Sequence, residues 1–213
     1  MKKLFRHWGL VNRHRYHVFI NGCRCGIGFH CLFHDLSKFH PKEFWPSVKY
    51  YDGTHSPVLE ERLQNDYFSL ICQHHTKRNP HHWEYWTDFY KGKILALAMP
   101  WRYATEYVCD MLSASYCYDP KAFNGETVVS YFAARCDHYY LSDVTKAYVK
   151  WCLERFAKHG FKGLRKKDTK AEYQRILGIY PKVKTYEPLS PTGALPLEGN
   201  EPIIPSALQG GQS

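Results

Sequence analysis

The spacing of apolar residues along the chain follows a helical period. Apolar positions recur three and four residues apart, as in helices with one buried face, in six segments: 13–21, 28–38, 59–75, 100–115, 128–134 and 142–159. The alternation typical of a β-strand never persists, and Gly and Pro fall between the helical segments rather than at two-residue hairpin turns. The pattern therefore predicts an all-α fold.

Turn and cap residues mark the ends of several of these predicted helices. Asn21 and Gly22 end the first segment, and Pro41 follows the second. Ser142, which is followed by Asp143, is a typical N-cap residue for the last segment. We expect helices to begin and end at these residues.

The composition changes near the end of the chain. Five prolines between positions 188 and 205, with scattered Gly and Ser, leave too little apolar surface to offset the loss of chain entropy. A chain of 213 residues is long enough for one ordinary domain with a core. We therefore expect a helical domain over 1–185 and a Pro/Gly-rich flexible tail over 186–213.

Histidines and two aspartates interrupt the apolar segments. The His34-Asp35 doublet and Asp110 are both flanked by apolar residues. A carboxylate is rarely buried unless it is paired or bound to a metal ion. Further histidines lie on separate predicted elements: His14, His17, His74, His75, His81 and His82. A divalent cation would satisfy these groups together.

The types of donor restrict the metal. Imidazole nitrogen and carboxylate oxygen without thiolate suit Mn, Fe, Zn, Co or Ni, and the histidines are numerous enough for one or two ions. Cys23 and Cys25 have no second cysteine pair at zinc-finger spacing, so we expect no structural zinc site there. Cys72 and Cys109 lie in apolar patterns and are expected to be free thiols that pack as small hydrophobes.

Four stretches of the chain carry a family resemblance: RHRYHVF, FHDLSKFHPKEF, HTKRNPHHWEYW and MPWRYATEYVCD. The order of a histidine, a His-Asp doublet and a distant aspartate resembles the HD-domain superfamily of metal-dependent phosphohydrolases. The stretches are most similar to the DUF5662 family of small bacterial and phage HD-like proteins, over roughly residues 10 to 160. The resemblance implies an HD-like helical bundle with a metal site in its core, formed by His14, His34, Asp35 and Asp110.

The same resemblance leaves two questions open about the ligands. His14 is preferred because Arg13-His14 matches the Arg-His of the family, but His17 remains an alternative. Members of the superfamily with two metal ions recruit extra histidines between the doublet and the last aspartate. His75, with His81 or His82, would then hold a second ion.

Lys38 suggests what a metal would do here. It follows His34 by four residues and Asp35 by three, so on one helix all three side chains would project to one side. Asp35 would be a ligand and a proton acceptor, and Lys38 would contact a metal-bound phosphate; a surface lysine is the alternative. Arg78 and Asn79 offer donors for phosphate and Trp83 a surface for a base, although Asn79-Pro80 is equally a turn signal with an aromatic plug beside it.

Charge adds a class of partner. The formal net charge of +9 and the pI near 9.1 permit contact with nucleic acid, nucleotides or other phosphorylated molecules. Part of the excess lies in the stretch 158–170, where a solvated helix end is the preferred explanation. The first residues lack the apolar run of a signal peptide, and no segment approaches the ~20 apolar residues of a membrane span. We expect a cytoplasmic protein without a membrane partner.

Two functions fit these observations. The first is a metal-dependent phosphohydrolase that acts on a phosphoester, in a nucleotide or a related phosphorylated metabolite. The second is a non-catalytic module, in which a metal staples the helices and the basic face binds nucleic acid or protein. An open metal position in a cleft would favour the first, and a closed ligand shell would favour the second.

Overall fold

Helices account for most of the chain that the structure, a computed structural model, describes: residues 2–53 and 56–187. Nine α-helices lie in these ranges: α1 (Lys2–Arg24), α2 (Gly28–Cys31), α3 (Pro41–Tyr50), α4 (Pro57–Gln64), α5 (Leu70–Thr76), α6 (Trp101–Tyr118), α7 (Gly125–Ala133), α8 (Asp143–His159) and α9 (Lys166–Leu177). None of the helices in these ranges is long and apolar enough to cross a membrane.

The core forms where α6 is packed between α1 and α8. Val108 and Leu112 of α6, Val18 of α1, and Tyr148 and Val149 of α8 are fully buried. A buried hydrogen bond of 2.7 Å joins the Tyr148 and Thr105 hydroxyls across α8 and α6. The three longest helices thus form a rigid frame, and the shorter helices α2 to α5 pack on one side of it.

The predicted helix over 28–38 is interrupted. α2 ends at Cys31, Asp35 has φ 54° and ψ 27°, and a 3-10 helix follows over Leu36–Phe39. A residue in the left-handed region cannot continue an α-helix, and aspartate is among the few residues other than glycine that tolerate it. The sequence therefore predicted one helix where the structure has two short ones around Asp35.

The predicted helix over 59–75 is also two helices. α4 ends at Gln64, and Asp66 and Tyr67 have positive φ. α5 begins after Ser69, whose side chain accepts a hydrogen bond from the backbone N–H of Cys72. The sequence did not reveal this break, because apolar residues keep a helical spacing both before and after it.

Two helices were not predicted, because each buries only three residues and polar side chains are among them. α3 buries Glu43, Ser47 and Tyr50, and α9 buries Thr169, Tyr173 and Ile176. The spacing on both faces is helical, but the apolar residues alone are too few to show it. α9 carries much of the basic stretch noted in the sequence.

A small antiparallel sheet corrects the prediction of an all-α fold. β1 (Thr87–Tyr90) and β2 (Lys93–Leu97) pair with Tyr90 opposite Lys93, and β3 (Val183–Tyr186) pairs with β2. Lys91 and Gly92 form the two-residue turn with φ 49° and 76°, which matches the twist of a hairpin. Lys-Gly is a weaker hairpin signal than Asn-Gly, so the sequence pattern missed it.

Of the other predicted boundaries, some are confirmed and others are wrong. The Ser142 side chain accepts from the backbone N–H of Thr145, so the predicted cap of α8 is confirmed. α1 continues past Asn21 and Gly22 to Arg24. Tyr186, which the sequence assigned to the tail, ends β3. Positions 188–213 of the predicted tail lie outside the described residues, as does His55.

Gly125 should be intolerant of a side chain, because α7 approaches α8 closely there. A Cβ at Gly125 would lie within van der Waals overlap of the Ala157 backbone and 2.8 Å from its Cβ. Gly125→Val should lower stability by about 1 to 3 kcal/mol, which corresponds to a fall of roughly 2 to 10 °C in Tm for a chain of this size. Thermal unfolding followed by circular dichroism measures this.

Gly9→Ala is the matched control. A Cβ at Gly9, within α1, would meet no described atom within 4 Å. Alanine is favoured over glycine within a helix by roughly 0.5 to 1 kcal/mol, so this variant should keep or slightly raise the Tm. An unchanged Tm for Gly125→Val would contradict the close approach of the two helices.

Candidate metal centre

Four parts of the chain bring histidines and carboxylates together. α1 carries His14, and the break before the 3-10 helix carries His34 and Asp35. α5 and the turn after it supply His75, His81 and His82, and α6 supplies Glu106 and Asp110. The exposed fraction is 1% for Asp35 and 2% for His34 and His81, so the centre is built inside the protein.

The first cluster gathers around one oxygen of Asp35. Asp35 Oδ2 lies 3.3 Å from His34 Nε2 and 3.7 Å from His14 Nε2. His14 Nε2 is 3.0 Å from Asp110 Oδ1 and 3.2 Å from His34 Nε2. Donor atoms of His14, His34 and Asp110 lie within 4.8 Å of one another, close enough to hold a single ion.

The second cluster gathers around the other oxygen of the same carboxylate. Asp35 Oδ1 lies 3.3 Å from His75 Nε2 and 3.4 Å from His81 Nε2. With His82, these residues also bring their donor atoms within 4.8 Å of one another. Asp35 therefore joins two groups of potential ligands, one at each of its oxygens.

Unsatisfied atoms indicate that the second cluster fits a cation. Asp35 Oδ1, His81 Nε2 and His82 Nε2 are buried and have no hydrogen-bond partner among the described residues. A buried polar atom without a partner costs roughly 1 to 3 kcal/mol. A divalent cation would satisfy all three atoms, and nitrogen and carboxylate ligands suit a transition metal.

Two glutamates orient the histidines. Glu43 Oε1 accepts from His75 Nδ1 at 2.8 Å, and Glu43 Oε2 lies 2.9 Å from His74 Nδ1. Glu106 Oε1 lies 2.9 Å from His34 Nδ1, and its Oε2 lies 2.8 Å from His30 Nε2. The contacts at Nδ1 of His34 and His75 leave Nε2 of each ring free to bind a metal, as in many metal sites.

The sequence did not identify Glu43 or His30 as members of the centre. Glu43 falls in the FHDLSKFHPKEF stretch, on the face of α3 that also buries Ser47. Ser37 Oγ donates to Glu43 at 2.9 Å and so connects this glutamate to the segment of Asp35. The feature of the sequence that could have pointed to Glu43 is an acidic residue on the inward face of a helix, beside other polar residues.

Neighbouring charges keep the carboxylates ionised. Burial acts to raise the pKa of Asp35, but His34, Lys38 and His75 hold it well below its usual value. The pKa of Asp110 is also lowered, because the contact with His14 outweighs burial. The centre therefore keeps negative charge that a cation can balance.

Burial has the opposite effect on two of the imidazoles. It lowers the pKa of His14, and burial together with the charge of His81 lowers that of His82. Both rings are therefore neutral at pH 7. Neutral imidazole is the form that binds a metal.

Burial also acts to lower the pKa of His34 and His81, but Asp35 and Glu106 raise it, to about 10 for His81. A metal ion would therefore have to displace a proton from these two rings.

Lys38 pairs with the central carboxylate. Its Nζ lies 2.6 Å from Asp35 Oδ2. The side chain of Lys38 is 31% exposed, against 1% for Asp35, so this residue lies between the centre and solvent. Burial acts to lower the pKa of Lys38, but Asp35 and Asp110 raise it. The i,i+3 pairing arises from the 3-10 helix and not from the continuous helix that the sequence predicted.

Three other predicted residues have different surroundings. The Asn79 side chain donates to the backbone carbonyl of His75 and to Ser37 Oγ, at 2.8 and 2.7 Å, so its amide is used to fix the turn. The Trp83 ring stacks on Tyr139, with centroids 5.5 Å apart, and packs against the core. These contacts agree with the alternative of a turn with an aromatic plug beside it, and the substrate-binding roles of both residues stay predictions. Arg78 is exposed after the end of α5.

His17 does not join the first cluster. Its ring contacts that of Tyr116, with centroids 4.7 Å apart. Of the two candidates on α1, His14 is therefore the one that the structure brings to His34 and Asp110.

The sequence matches a family model over most of its length. Residues 4–155 match the model described as a family of unknown function, DUF5662. The chain belongs to the DUF5662 family. No curated protein and no solved structure matches it.

The DUF5662 match contains the whole centre. It begins before His14 and ends after Asp110, and it includes both orienting glutamates. α9 and β3 lie beyond the matched residues. The centre is therefore a feature of the DUF5662 region of this chain and requires no residue outside it.

Asp35 should be required for metal binding at both clusters, because it contributes one oxygen to each. Asp35→Ala should reduce bound metal to near zero, whereas His82→Ala should remove a ligand from the second cluster alone. Metal per chain, measured by mass spectrometry after equilibration with Mn²⁺ or Zn²⁺, tests this. Asp137→Ala is the control, since Asp137 is exposed and pairs with Lys146. Undiminished metal content in Asp35→Ala would refute the assignment.

Glu43 should tune metal affinity without being a ligand. Glu43→Gln replaces a carboxylate that holds the Nδ1 atoms of His74 and His75, so affinity at the second cluster should fall by about 10- to 100-fold. Competition with a chromophoric chelator measures the change. Glu154→Gln, on the exposed face of α8, should leave affinity as it is. Equal affinities of both variants would show that Glu43 has no orienting role.

Proposed function

We propose that this protein is a metal-dependent phosphohydrolase of the HD type. The observation that carries the proposal is the position of Asp35, whose two oxygens each face a separate group of histidines. One carboxylate between two ligand groups is suited to hold two ions close together. Two adjacent ions are a common arrangement in enzymes that cleave phosphoesters.

The order of the ligands supports the same proposal. His14, His34 and Asp110 bring donor atoms within 4.8 Å of one another, and Asp35 Oδ2 lies 3.3 Å from His34 Nε2 and 3.7 Å from His14 Nε2. The HD-domain superfamily would use these four residues in this order. His75, His81 and His82 fall between the doublet and the last aspartate. This is where members of that superfamily with two metals place their additional histidines.

Bound ions would lower the pKa of coordinated water and polarise the phosphoryl group. In the hydrolysis of a phosphoester, the oxygen of water forms a bond to phosphorus and the bond to the leaving oxygen breaks. Asp35 and Asp110 supply negative charge next to the reacting water. Asp35 would hold the ions through its two oxygens, and its lowered pKa suits it to the role of ligand rather than to that of proton acceptor.

Lys38 would act on the phosphoryl oxygens. Its ammonium lies within reach of Asp35 Oδ2, and the residue lies between the centre and solvent, where a group entering from solvent would meet it. A fixed positive charge near a transferring phosphoryl group stabilises the charge that develops in the transition state. A substrate of this class would be a nucleotide or another phosphorylated metabolite, which also fits the net charge of +9.

The accessibility of the ligands favours catalysis over a metal staple. His34 and Asp35 are enclosed, but the side chains of Asp110, His14 and Lys38 are 16%, 10% and 31% exposed. A structural site normally closes its ligand shell. A partly exposed set of ligands beside a cation fits an enzyme better than a structural site, because a substrate must reach the metal.

A screen for activity tests the proposal. Purified protein loaded with Mn²⁺, Fe²⁺, Zn²⁺, Co²⁺ or Ni²⁺ should hydrolyse bis(p-nitrophenyl) phosphate or one of a panel of nucleotides, and Asp110→Ala should abolish the reaction. Absence of metal-dependent turnover in fully loaded wild-type protein, across all of these substrates, would contradict the proposed function.

A variant of Lys38 tests whether this residue takes part in the reaction. Lys38→Met keeps the apolar stem and removes the charge, so the variant should keep its metal and its fold but lose on the order of a hundredfold in kcat. Lys150→Met, an exposed lysine on α8, is the control. Unchanged turnover in Lys38→Met would show that the lysine does not contact the reacting group, and loss of metal would show that its role is structural.

A further inference from the structure

A cavity of about 380 Å³ lies next to the candidate metal centre, between the first half of α1 and the end of α6. Its walls include Arg6, Gly9, Arg13, Tyr51, Cys117 and Tyr118. None of these residues is a candidate metal ligand. The cavity is therefore a separate space beside the centre.

The helices set the separation between the cavity and the centre. Arg13 directly precedes His14 on α1, and Cys117 follows Asp110 by two turns on α6. The Arg13 guanidinium donates to the Cys117 carbonyl at 2.8 Å, which joins the two walls. Gly9 lies five residues before His14 and Cys117 lies seven after Asp110, which at 1.5 Å per residue correspond to about 8 and 10 Å along the helices, whereas Arg13 adjoins His14.

Arg6 and Arg13 bring positive charge to the cavity. Arg13 uses one donor on the Cys117 carbonyl, and Asp52, between the wall residues Tyr51 and Gly53, has an interaction of its own. No aspartate or glutamate is among the described residues of the wall. Burial raises the pKa of Cys117 and Tyr118 while Lys38 acts in the opposite direction on both, so Lys38 is within electrostatic reach.

Gly9 leaves room on the wall formed by α1. It lies on the helix surface between Arg6 and Arg13, and a Cβ there would meet no described atom within 4 Å. A glycine within a helix is less stable than alanine by roughly 0.5 to 1 kcal/mol. A bare backbone at this point keeps space between the two guanidinium groups.

We propose that this cavity binds a second anionic group of the substrate, a phosphate that is not cleaved. The inference rests on the proposed function and narrows its substrate class. The substrate would carry two phosphate groups separated by a spacer about the size of a sugar, as in a nucleoside 3′,5′-bisphosphate. The two phosphorus atoms of a diphosphate are too close together to reach both the centre and the cavity.

Arginine suits this role because its planar group of donors pairs with phosphate oxygens in a bidentate manner. The Arg6 side chain is exposed and forms no ion pair among the described residues. No ion pair would therefore have to break when it turns into the cavity. The hydroxyls of Tyr51 and Tyr118 would add neutral hydrogen bonds at the same wall.

Binding of phosphonates tests the inference without relying on turnover, because a carbon–phosphorus bond is not hydrolysed as a phosphoester is. The metal-loaded full chain is titrated by calorimetry with pentane-1,5-bisphosphonate and with pentylphosphonate. The bisphosphonate should bind on the order of tenfold more tightly or better, since charged hydrogen bonds are gained at the second group.

Two variants test whether the preference for the bisphosphonate arises in this cavity. Arg6→Gln combined with Arg13→Gln should reduce binding of the bisphosphonate to the level of the monophosphonate, and Gly9→Leu, which fills the cavity without a change in charge, should do the same. Lys2→Gln combined with Lys3→Gln matches the loss of charge on an exposed part of α1 and should keep the preference.

Two results would overturn the inference: equal affinities of wild-type protein for both phosphonates, or a preference that survives in the double arginine variant and in Gly9→Leu. Failure of the proposed function is distinguishable, because it would appear in the activity screen and leave this difference in binding intact.

Discussion

A carboxylate removed from water needs positive charge or hydrogen-bond donors around it, and the interior of this protein is arranged to supply them to Asp35. Imidazoles from α1, from α5 and from the turn after α5 converge on its two oxygens, with the Lys38 ammonium beside one of them. An uncompensated buried charge would destabilise the fold by several kcal/mol. The packing of α1, α5 and α6 and the chemistry of the centre therefore depend on the same group.

The backbone at Asp35 shows how local structure serves that requirement. A continuous helix over this segment would have been the simpler structure, but it would fix the carboxylate on one helical face. The left-handed conformation at Asp35 turns the chain between two short helices, and positive φ in a residue other than glycine is less favourable by roughly 1 to 3 kcal/mol. The contacts that Asp35 makes on both sides offset this strain and hold it in place.

Much of the metal centre could be predicted from the sequence, because the identity and the order of the candidate ligands can be read residue by residue. His14, His34, Asp35 and Asp110 are polar interruptions of apolar patterns, and they converge. The remainder depends on tertiary contacts: Glu43 lies on a helix whose inner face is polar, and the proximity of His30 to Glu106 cannot be read from spacing. Asn79 and Trp83 show the converse, since suitable donors and rings in the sequence are used for a turn and for packing.

The sheet has a consequence for how the chain can be shortened. β3 lies beyond the matched family region, yet its backbone pairs with β2, and the Tyr186 hydroxyl donates to the Leu141 carbonyl. Without β3, the outer side of β2 would present a row of unpaired peptide groups to solvent. Such an edge readily recruits a strand from another molecule. The C-terminal segment thus keeps β2 as the central strand of the sheet, and a fragment that ends at the family boundary would turn β2 into an edge strand.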